Sequence, residues 1–354
     1  MFLRPFVRSP WRIRGVGAPS LQYTTRHKPA AFPTISACPS PTCVCSETPE
    51  LPPGLPIDHN TPLNGKMAAY AEQVLICTGK DDWESRIEDE NSGDNLAADI
   101  KELLGRGGTY SDPYHNVLVT NSSLPPSVPS RSEIINSSVY LLPSFKYVPF
   151  LPRVSFDSVQ ALAKGYILPK KLHAVHDSLS PIHRDRLLRK DEYKSLLFGV
   201  QDVKDILVLI CGHGGRDARC GVFGPVLRDE FESVFKMQDI PVEKGAVDVQ
   251  SLAAEEERLL SSDRIGTRTG RSARVGLISH IGGHKFAGNV ILYLPPGLRM
   301  GDGTESPLAG CGIWYGRVEP KHVEGIVRET ILAGTVIENL FRGGIRKGGE
   351  ILRL

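Results

Sequence analysis

The sequence predicts an α/β protein made of two similar halves in tandem, and three observations support this prediction. Residues 74–77 read Val-Leu-Ile-Cys, and residues 208–211 repeat the same four letters. Residues 154–168 align without gaps on residues 318–332, with apolar positions in register. Each half presents its elements in the order β-α-β-β-α, which is the order of a thioredoxin-like unit. We therefore expect two tandem thioredoxin-like domains from a duplication, the alternative being two α/β domains that share this pattern by chance.

Apolar runs and helix signals define the elements of each half. In the first half, strands are predicted at 74–77, 117–119 and 139–142, and helices at 94–104 and 154–164. Asp94 is the expected cap of the first of these helices, and Gly105 is its expected stop. In the second half, strands are predicted at 206–210, 275–278 and 290–293, and helices are predicted to begin near Pro225 and Pro320.

The composition of the chain divides it into segments. Residues 1–62 are predicted to be a transit peptide followed by a disordered segment rich in proline and cysteine. Residues 63–170 form the first domain, 171–200 a charged linker, and 201–345 the second domain, in which 239–273 is an exposed insertion. The leader contains arginines but no acidic residue before Glu47, which is typical of mitochondrial targeting and predicts a matrix location. A disordered basic tail is the alternative.

Charge and hydropathy exclude several classes of function. The 354 residues carry a net charge of only +2, so neither nucleic acid nor an anionic membrane is an expected partner. No apolar stretch is long enough to predict a transmembrane segment. Seven cysteines, unevenly spaced, are too few for a secreted disulfide scaffold, which favours a metal or redox role in a reducing compartment.

The residues that carry chemistry lie in the second half. A strand ends at Cys211, and Cys220 follows after eight residues rich in glycine and charge, in what we expect to be a loop. A second strand is followed by His280 and, after three residues, His284. Two thiolates and two imidazoles can complete the coordination of a 2Fe–2S cluster, and glycines let the backbone turn N–H groups toward its sulfides.

Two other uses of these four residues are open. The spacing does not match a zinc finger, but a structural zinc site has the same ligand types. Cys211 and Cys220 could also form the redox pair of a thiol–disulfide oxidoreductase, although their spacing is much wider than the C-x-x-C of such enzymes.

Three motifs resemble a known family. They are residues 211–221, which contain both cysteines; residues 280–289, which contain both histidines; and Trp-Tyr-Gly-Arg-Val at 314–318. Together they resemble the sucrase/ferredoxin-like family of thioredoxin-like ferredoxins. The leader and residues 76–83 resemble its fungal mitochondrial branch. The resemblance covers roughly 65–345 and implies that Cys211, Cys220, His280 and His284 ligate a 2Fe–2S cluster. No carboxylate pair supports a sugar-cleaving activity.

The first half departs from this pattern and is expected to hold no cluster. Cys77 matches Cys211 in position, but no second cysteine follows it, and Asn-Ser-Ser at 121–123 stands where the histidines would begin. Cys77 is therefore expected to be a buried apolar residue, and the first domain to cover the site or offer a surface to a partner.

The expected function is that of a mitochondrial electron carrier or redox sensor, rather than an enzyme, with an unidentified redox partner protein. His213, Arg216 and Arg219 are candidates for tuning the cluster or docking that partner. No role is predicted for the remaining cysteines, which are Cys38, Cys43, Cys45 and Cys311.

Overall fold

The computed structural model describes residues 31–91, 94–127, 134–247, 249 and 271–354. The strands are β1 (Thr34–Ile35), β2 (Glu72–Cys77), β3 (Val117–Ser122), β4 (Asn136–Leu142), β5 (Lys146–Pro152), β6 (Gln201–Asp202), β7 (Ile206–Cys211), β8 (Ala273–Ile278), β9 (Val290–Leu294), β10 (Cys311–Tyr315), β11 (Val336–Ile337), β12 (Phe341–Arg346) and β13 (Glu350–Leu352). The α-helices are α1 (Leu96–Leu104), α2 (Asp157–Leu162), α3 (Pro181–Leu187), α4 (Ala218–Met237) and α5 (Pro320–Gly325).

Most strands of the described residues belong to one mixed sheet, in the order β13-β12-β10-β9-β7-β8-β3-β2-β4-β5-β6. In the first half, β2 pairs in parallel with β3 and antiparallel with β4. In the second half, β7 pairs in parallel with β8 and antiparallel with β9. The two halves meet where β3 and β8 pair antiparallel, Ser122 opposite Ile278. The fold is therefore α/β with a repeated strand order, while the thioredoxin-like nature of each half stays a prediction.

The two segments that align in sequence adopt the same local structure. The helix α2 continues into a π-helical turn at Ala163–Ile167, and α5 continues into one at Ile326–Leu332. Both bury apolar side chains against the same face of the sheet, Val159 and Leu162 in one and Val323 and Ile326 in the other. The two predicted helices are confirmed, with shifted ends.

Strand β7 shows how the fold positions the site. Val208 and Ile210 point to the face that the helices cover, whereas Leu207, Leu209 and Cys211 point to the opposite face. This alternation follows from the period of two along a β-strand. Cys211 thus stands at the carboxyl end of a buried strand, on the face away from α2 and α5.

One helix cap differs from the prediction. Helix α1 is capped by Asn95, whose side chain accepts a hydrogen bond from the backbone N–H of Ala98, rather than by Asp94. Asp94 instead accepts a hydrogen bond from the Nε of Arg153, which is nearly buried and attracts the carboxylate. Gly105 ends the helix as predicted.

Residues 31–62 are irregular but packed, so the prediction of disorder is wrong for this part, which we call the strap. Strand β1 pairs in parallel with β11, and the ring of Phe32 lies 5.8 Å from that of Phe341. The buried carboxylate of Glu324 accepts hydrogen bonds from Thr42 and Cys43. Apolar burial and bonds to a carboxylate offset the entropy lost on ordering the strap. Residues 1–30, which are most of the basic leader, lie outside the described residues.

The structure describes the whole of the predicted linker and part of the predicted insertion. The linker contains α3 and two 3₁₀ helices, Ala174–Ser178 and Asp191–Leu196. Strand β6 pairs with β5, so the sheet of the first half extends slightly beyond the predicted boundary at 200/201. Most of the insertion, namely 248 and 250–270, lies outside the described residues. Within the described part, no helix is long and apolar enough to cross a membrane.

Candidate functional site

The two cysteines of the predicted ligand set lie together. Cys211 ends β7, whereas Cys220 lies in the first turn of α4, which begins at Ala218. The predicted loop between the cysteines is thus shorter than expected, and Pro225 lies inside the helix rather than at its start. The helix begins early because the Asp217 carboxylate caps it, accepting the N–H of Arg219 at 3.1 Å.

The two thiols are buried and in contact. Cys211 is 1% exposed and Cys220 is fully buried. A hydrogen bond from Cys220, together with the neighbouring His280, holds the pKa of Cys211 well below its ordinary value. The same bond and burial raise the pKa of Cys220 well above its ordinary value. Of the two thiols, Cys211 is therefore the one that ionises more readily.

The two histidines lie side by side next to these thiols. His280 follows β8, and His284 opens a short 3₁₀ helix, His284–Phe286. Their ring centroids are 5.2 Å apart and the ring planes are inclined by 34°. The Nδ1 atoms of both rings are buried and have no hydrogen-bond partner among the described residues. Burial also lowers the pKa of His284, which favours the neutral imidazole that a metal ligand requires.

The glycines between the histidines are required by the backbone. Gly282 and Gly283 have φ of +82° and +77°, in the left-handed region. A Cβ atom on Gly283 would lie 2.6 Å from the Arg342 guanidinium, too close for any side chain. The H-x₃-H loop therefore closes tightly over the site because these two positions lack a side chain.

His213 connects the first half of the molecule to the ligand loop. Its Nε2 donates to the carbonyl oxygens of Trp83 at 3.1 Å and Glu84 at 2.9 Å. Its Nδ1 accepts the backbone N–H of His280 at 3.0 Å. Both ring nitrogens are occupied and the side chain is buried, so His213 is a neutral structural link. The first half covers the site through this histidine and through Asp82, which accepts the N–H of Gly215.

The two arginines singled out in the sequence have different surroundings. Arg219 is buried and pairs with Asp217, and it also donates to the carbonyl of Pro56 in the strap. Arg216 is exposed and donates to the hydroxyl of Ser85. Of the two arginines, Arg219 therefore organises the rim of the site, whereas Arg216 presents its cation to solvent.

Arg342 is a residue of the site that sequence reasoning missed. It lies on β12, 2% exposed, and burial lowers its pKa to about 10. Its guanidinium is close enough to Cys211 and Cys220 to interact electrostatically with both. The available signal was an arginine inside an otherwise apolar and glycine-rich strand. A charge at such a position usually has a partner in the interior.

The remaining cysteines lie apart from this site. Burial raises the pKa of Cys77 to about 12, as expected for a buried apolar residue. Cys311 is buried on β10, and its pKa is raised by burial. Cys38, Cys43 and Cys45 belong to the strap. In the first half, the end of β3 forms the seam with the second half, where the N–H of Asn121 donates to the hydroxyl of Ser279, just after β8.

Across the described residues, no three His, Cys, Asp or Glu side chains converge closely enough to hold a single metal ion. The candidate donors are instead grouped in pairs, two thiols and two imidazoles. In a binuclear cluster, each iron takes only two ligands from the protein.

Fold and site together define a two-halved α/β protein in which two buried cysteines lie beside two adjacent histidines. A family model described as sucrase/ferredoxin-like matches residues 63–343, and the chain belongs to this family. Curated relatives named "Altered inheritance of mitochondria protein 32" confirm the predicted fungal branch. The protein of Meyerozyma guilliermondii is 30% identical over 87% of this chain and 94% of its own. That of Debaryomyces hansenii is 29% identical over 86% and 93%. No solved structure matches the chain.

Proposed function

We propose that this protein binds one 2Fe–2S cluster through Cys211, Cys220, His280 and His284, and that it functions in electron transfer or thiol redox sensing. The observation that carries the proposal is the meeting of two buried, adjacent thiols with two adjacent imidazoles whose buried Nδ1 atoms have no hydrogen-bond partner in the described part of the chain. Unpaired buried nitrogen atoms are costly unless a ligand satisfies them.

The chemistry of the donor set fits such a cluster. When bound, the cluster supplies reversible one-electron transfer, and neutral imidazoles raise its potential relative to four thiolates. The protein contributes two buried thiols close to the Arg342 guanidinium and two adjacent imidazoles, and burial lowers the pKa of one of these, His284. Buried residues around the site, including His213 and Ile281, limit the access of water to it. A redox partner protein would exchange the electron.

A mitochondrial location belongs to the same proposal. It is supported by the names of the fungal relatives and by the arginine-rich composition of the leader. We propose the matrix as the compartment, because it is reducing and keeps thiols available for a cluster.

The test is anaerobic purification of the full chain, with iron, acid-labile sulfide and zinc assays and with EPR after reduction. We expect two irons and two sulfides per chain. The variants C211A and H284A should lose the cluster. The matched variants C77A and C311A should keep it, because these buried cysteines lie outside the site. A colourless protein with one zinc would contradict the proposal.

A second candidate is a thiol–disulfide oxidoreductase, favoured by the direct contact between Cys211 and Cys220. In that reaction the Cys211 thiolate attacks a substrate disulfide and expels one substrate thiolate, and Cys220 then attacks the mixed disulfide, which forms a Cys211–Cys220 disulfide and releases the second substrate thiol. Both side chains are almost fully buried, so a bulky disulfide would have to displace the H-x₃-H loop. The test is whether iron-free protein reduces a small disulfide with a dithiol as the electron source. Activity that is abolished in C220A but retained in H284A would favour this candidate.

A further inference from the structure

Arg342 is held rigidly at the back of the candidate site. Its Nη1 donates to the carbonyl of Gly282 at 3.2 Å and to the Oδ1 of Asn289 at 2.6 Å. Its Nη2 donates to the carbonyl of Lys66 at 3.1 Å. The rings of Phe286 and Trp314 lie 5.8 and 5.7 Å from the guanidinium carbon. Together, these contacts prevent the side chain from reaching solvent.

Asn289 completes the attachment of the ligand loop to this arginine. Its Nδ2 donates to the carbonyl of Gly283 at 3.0 Å, while its Oδ1 accepts from Arg342. Arg342 and Asn289 thus hold the two glycines that separate His280 from His284. A change at either residue should shift the position of the imidazoles.

The positive charge of Arg342 has no carboxylate partner among the described residues. The oxygens that it contacts are backbone carbonyls and an amide, and its buried Nε makes no hydrogen bond in the described structure. An uncompensated charge in the interior is costly. The groups close to it that can become anionic are the thiols of Cys211 and Cys220.

We infer that Arg342 is the counter-charge of the cluster and a positioning residue for the H-x₃-H loop, an inference that rests on the proposed function. With two thiolates and two neutral imidazoles, the oxidised cluster is electrically neutral and the reduced cluster carries one negative charge. On reduction, a donor would lose one electron and be oxidised, the cluster would gain that electron, and no covalent bond would form or break. Arg342 stabilises the charge that arrives and therefore favours the reduced state.

The experiment is a dithionite titration of anaerobically purified full-length protein, followed by EPR and visible absorbance. We expect R342M to shift the reduction equilibrium at least tenfold toward the oxidised state, about 59 mV lower in potential for one electron. R342K should restore most of this shift. The matched control is R346M, on the same strand but partly exposed and paired with Glu350, and it should leave the potential unchanged.

A second variant covers the case in which R342M does not retain iron. In N289D, a carboxylate neutralises the charge of the guanidinium and can still accept its hydrogen bond, although the bond to the Gly283 carbonyl is lost, so the potential should fall at least as far as in R342M. Absence of iron and sulfide from the wild type would overturn the proposed function together with this inference. Normal iron content with unchanged potential in N289D, or in R342M where it loads, would overturn the inference alone.

Discussion

Replacement of His213 by alanine should destabilise the protein strongly, because this buried side chain forms hydrogen bonds with three backbone groups. H213A leaves the N–H of His280 and the carbonyls of Trp83 and Glu84 without their partner. Each unsatisfied buried group costs about 1–3 kcal/mol. The edge-to-face contact with the Trp83 ring, at 5.8 Å between centroids, is also lost. We expect a loss of about 3–5 kcal/mol in the free energy of unfolding, given partial relaxation around the cavity.

Two further substitutions separate the contribution of Nδ1 to stability from that of Nε2. In H213N, the amide oxygen can replace Nδ1 and still accept the N–H of His280. In H213Q, the amide nitrogen can replace Nε2 and still donate to Trp83 or Glu84. Each should lose roughly half as much stability as H213A, about 1–2 kcal/mol. The measurement is urea unfolding followed by circular dichroism, on iron-free protein so that cluster loss does not contribute.

The result also distinguishes a structural link from a ligand. Holo-protein purified from H213N and H213Q should contain as much iron as the wild type, because neither ring nitrogen of His213 is free for a metal. If H213A unfolds within about 1 kcal/mol of the wild type, the hydrogen bonds assigned to His213 do not stabilise the fold. If H213N and H213Q lose iron as completely as C211A, His213 is a ligand and its assignment here is wrong.

Three further predictions concern the loop, the strap and the first half. G283A should destabilise the protein by more than G297A. Both glycines have φ of +77°, but a Cβ at Gly283 would meet Arg342, whereas a Cβ at Gly297 would meet nothing within 4 Å. Equal losses of stability in urea unfolding would exclude that clash. Hydrogen bonds from the strap lower the pKa of Glu324 from 4.5 to about 2, so its contribution to stability is complete above pH 4.5 and is lost as the pH falls toward 2. E324Q should therefore be less stable than the wild type at pH 7, and limited proteolysis should cut it faster in the strap. The difference in stability should shrink as the pH falls; a difference that does not change with pH would contradict the role of the Glu324 carboxylate. Cys77, with its pKa raised to about 12, should resist iodoacetamide at pH 8 in native protein and react in urea, as measured by peptide mass spectrometry.

Much of the fold followed from local patterns. The alternation along β7 and the repeat of its last four residues in β2 depend only on neighbouring positions, so the sequence predicted both strands. The gapless alignment of 154–168 on 318–332 likewise anticipated two helices, which share even the change to π-helical geometry. The error at the start of α4 arose because the Asp217 cap competes with Pro225 as a helix signal, and capping prevailed.

The sequence by itself determined which donors are present: two cysteines and two histidines, each pair following a strand, and glycines that allow a tight loop. The tertiary structure decided which other residues share their environment. Arg342 reaches Gly282 because β12 pairs with β10 in the same sheet, and His213 reaches Trp83 because the two halves join at β3 and β8. Such contacts depend on the pairing of strands that are distant in the sequence. A local sequence pattern carries no information about the energy of that pairing. The charge and polarity around the candidate cluster are therefore properties of the assembled sheet.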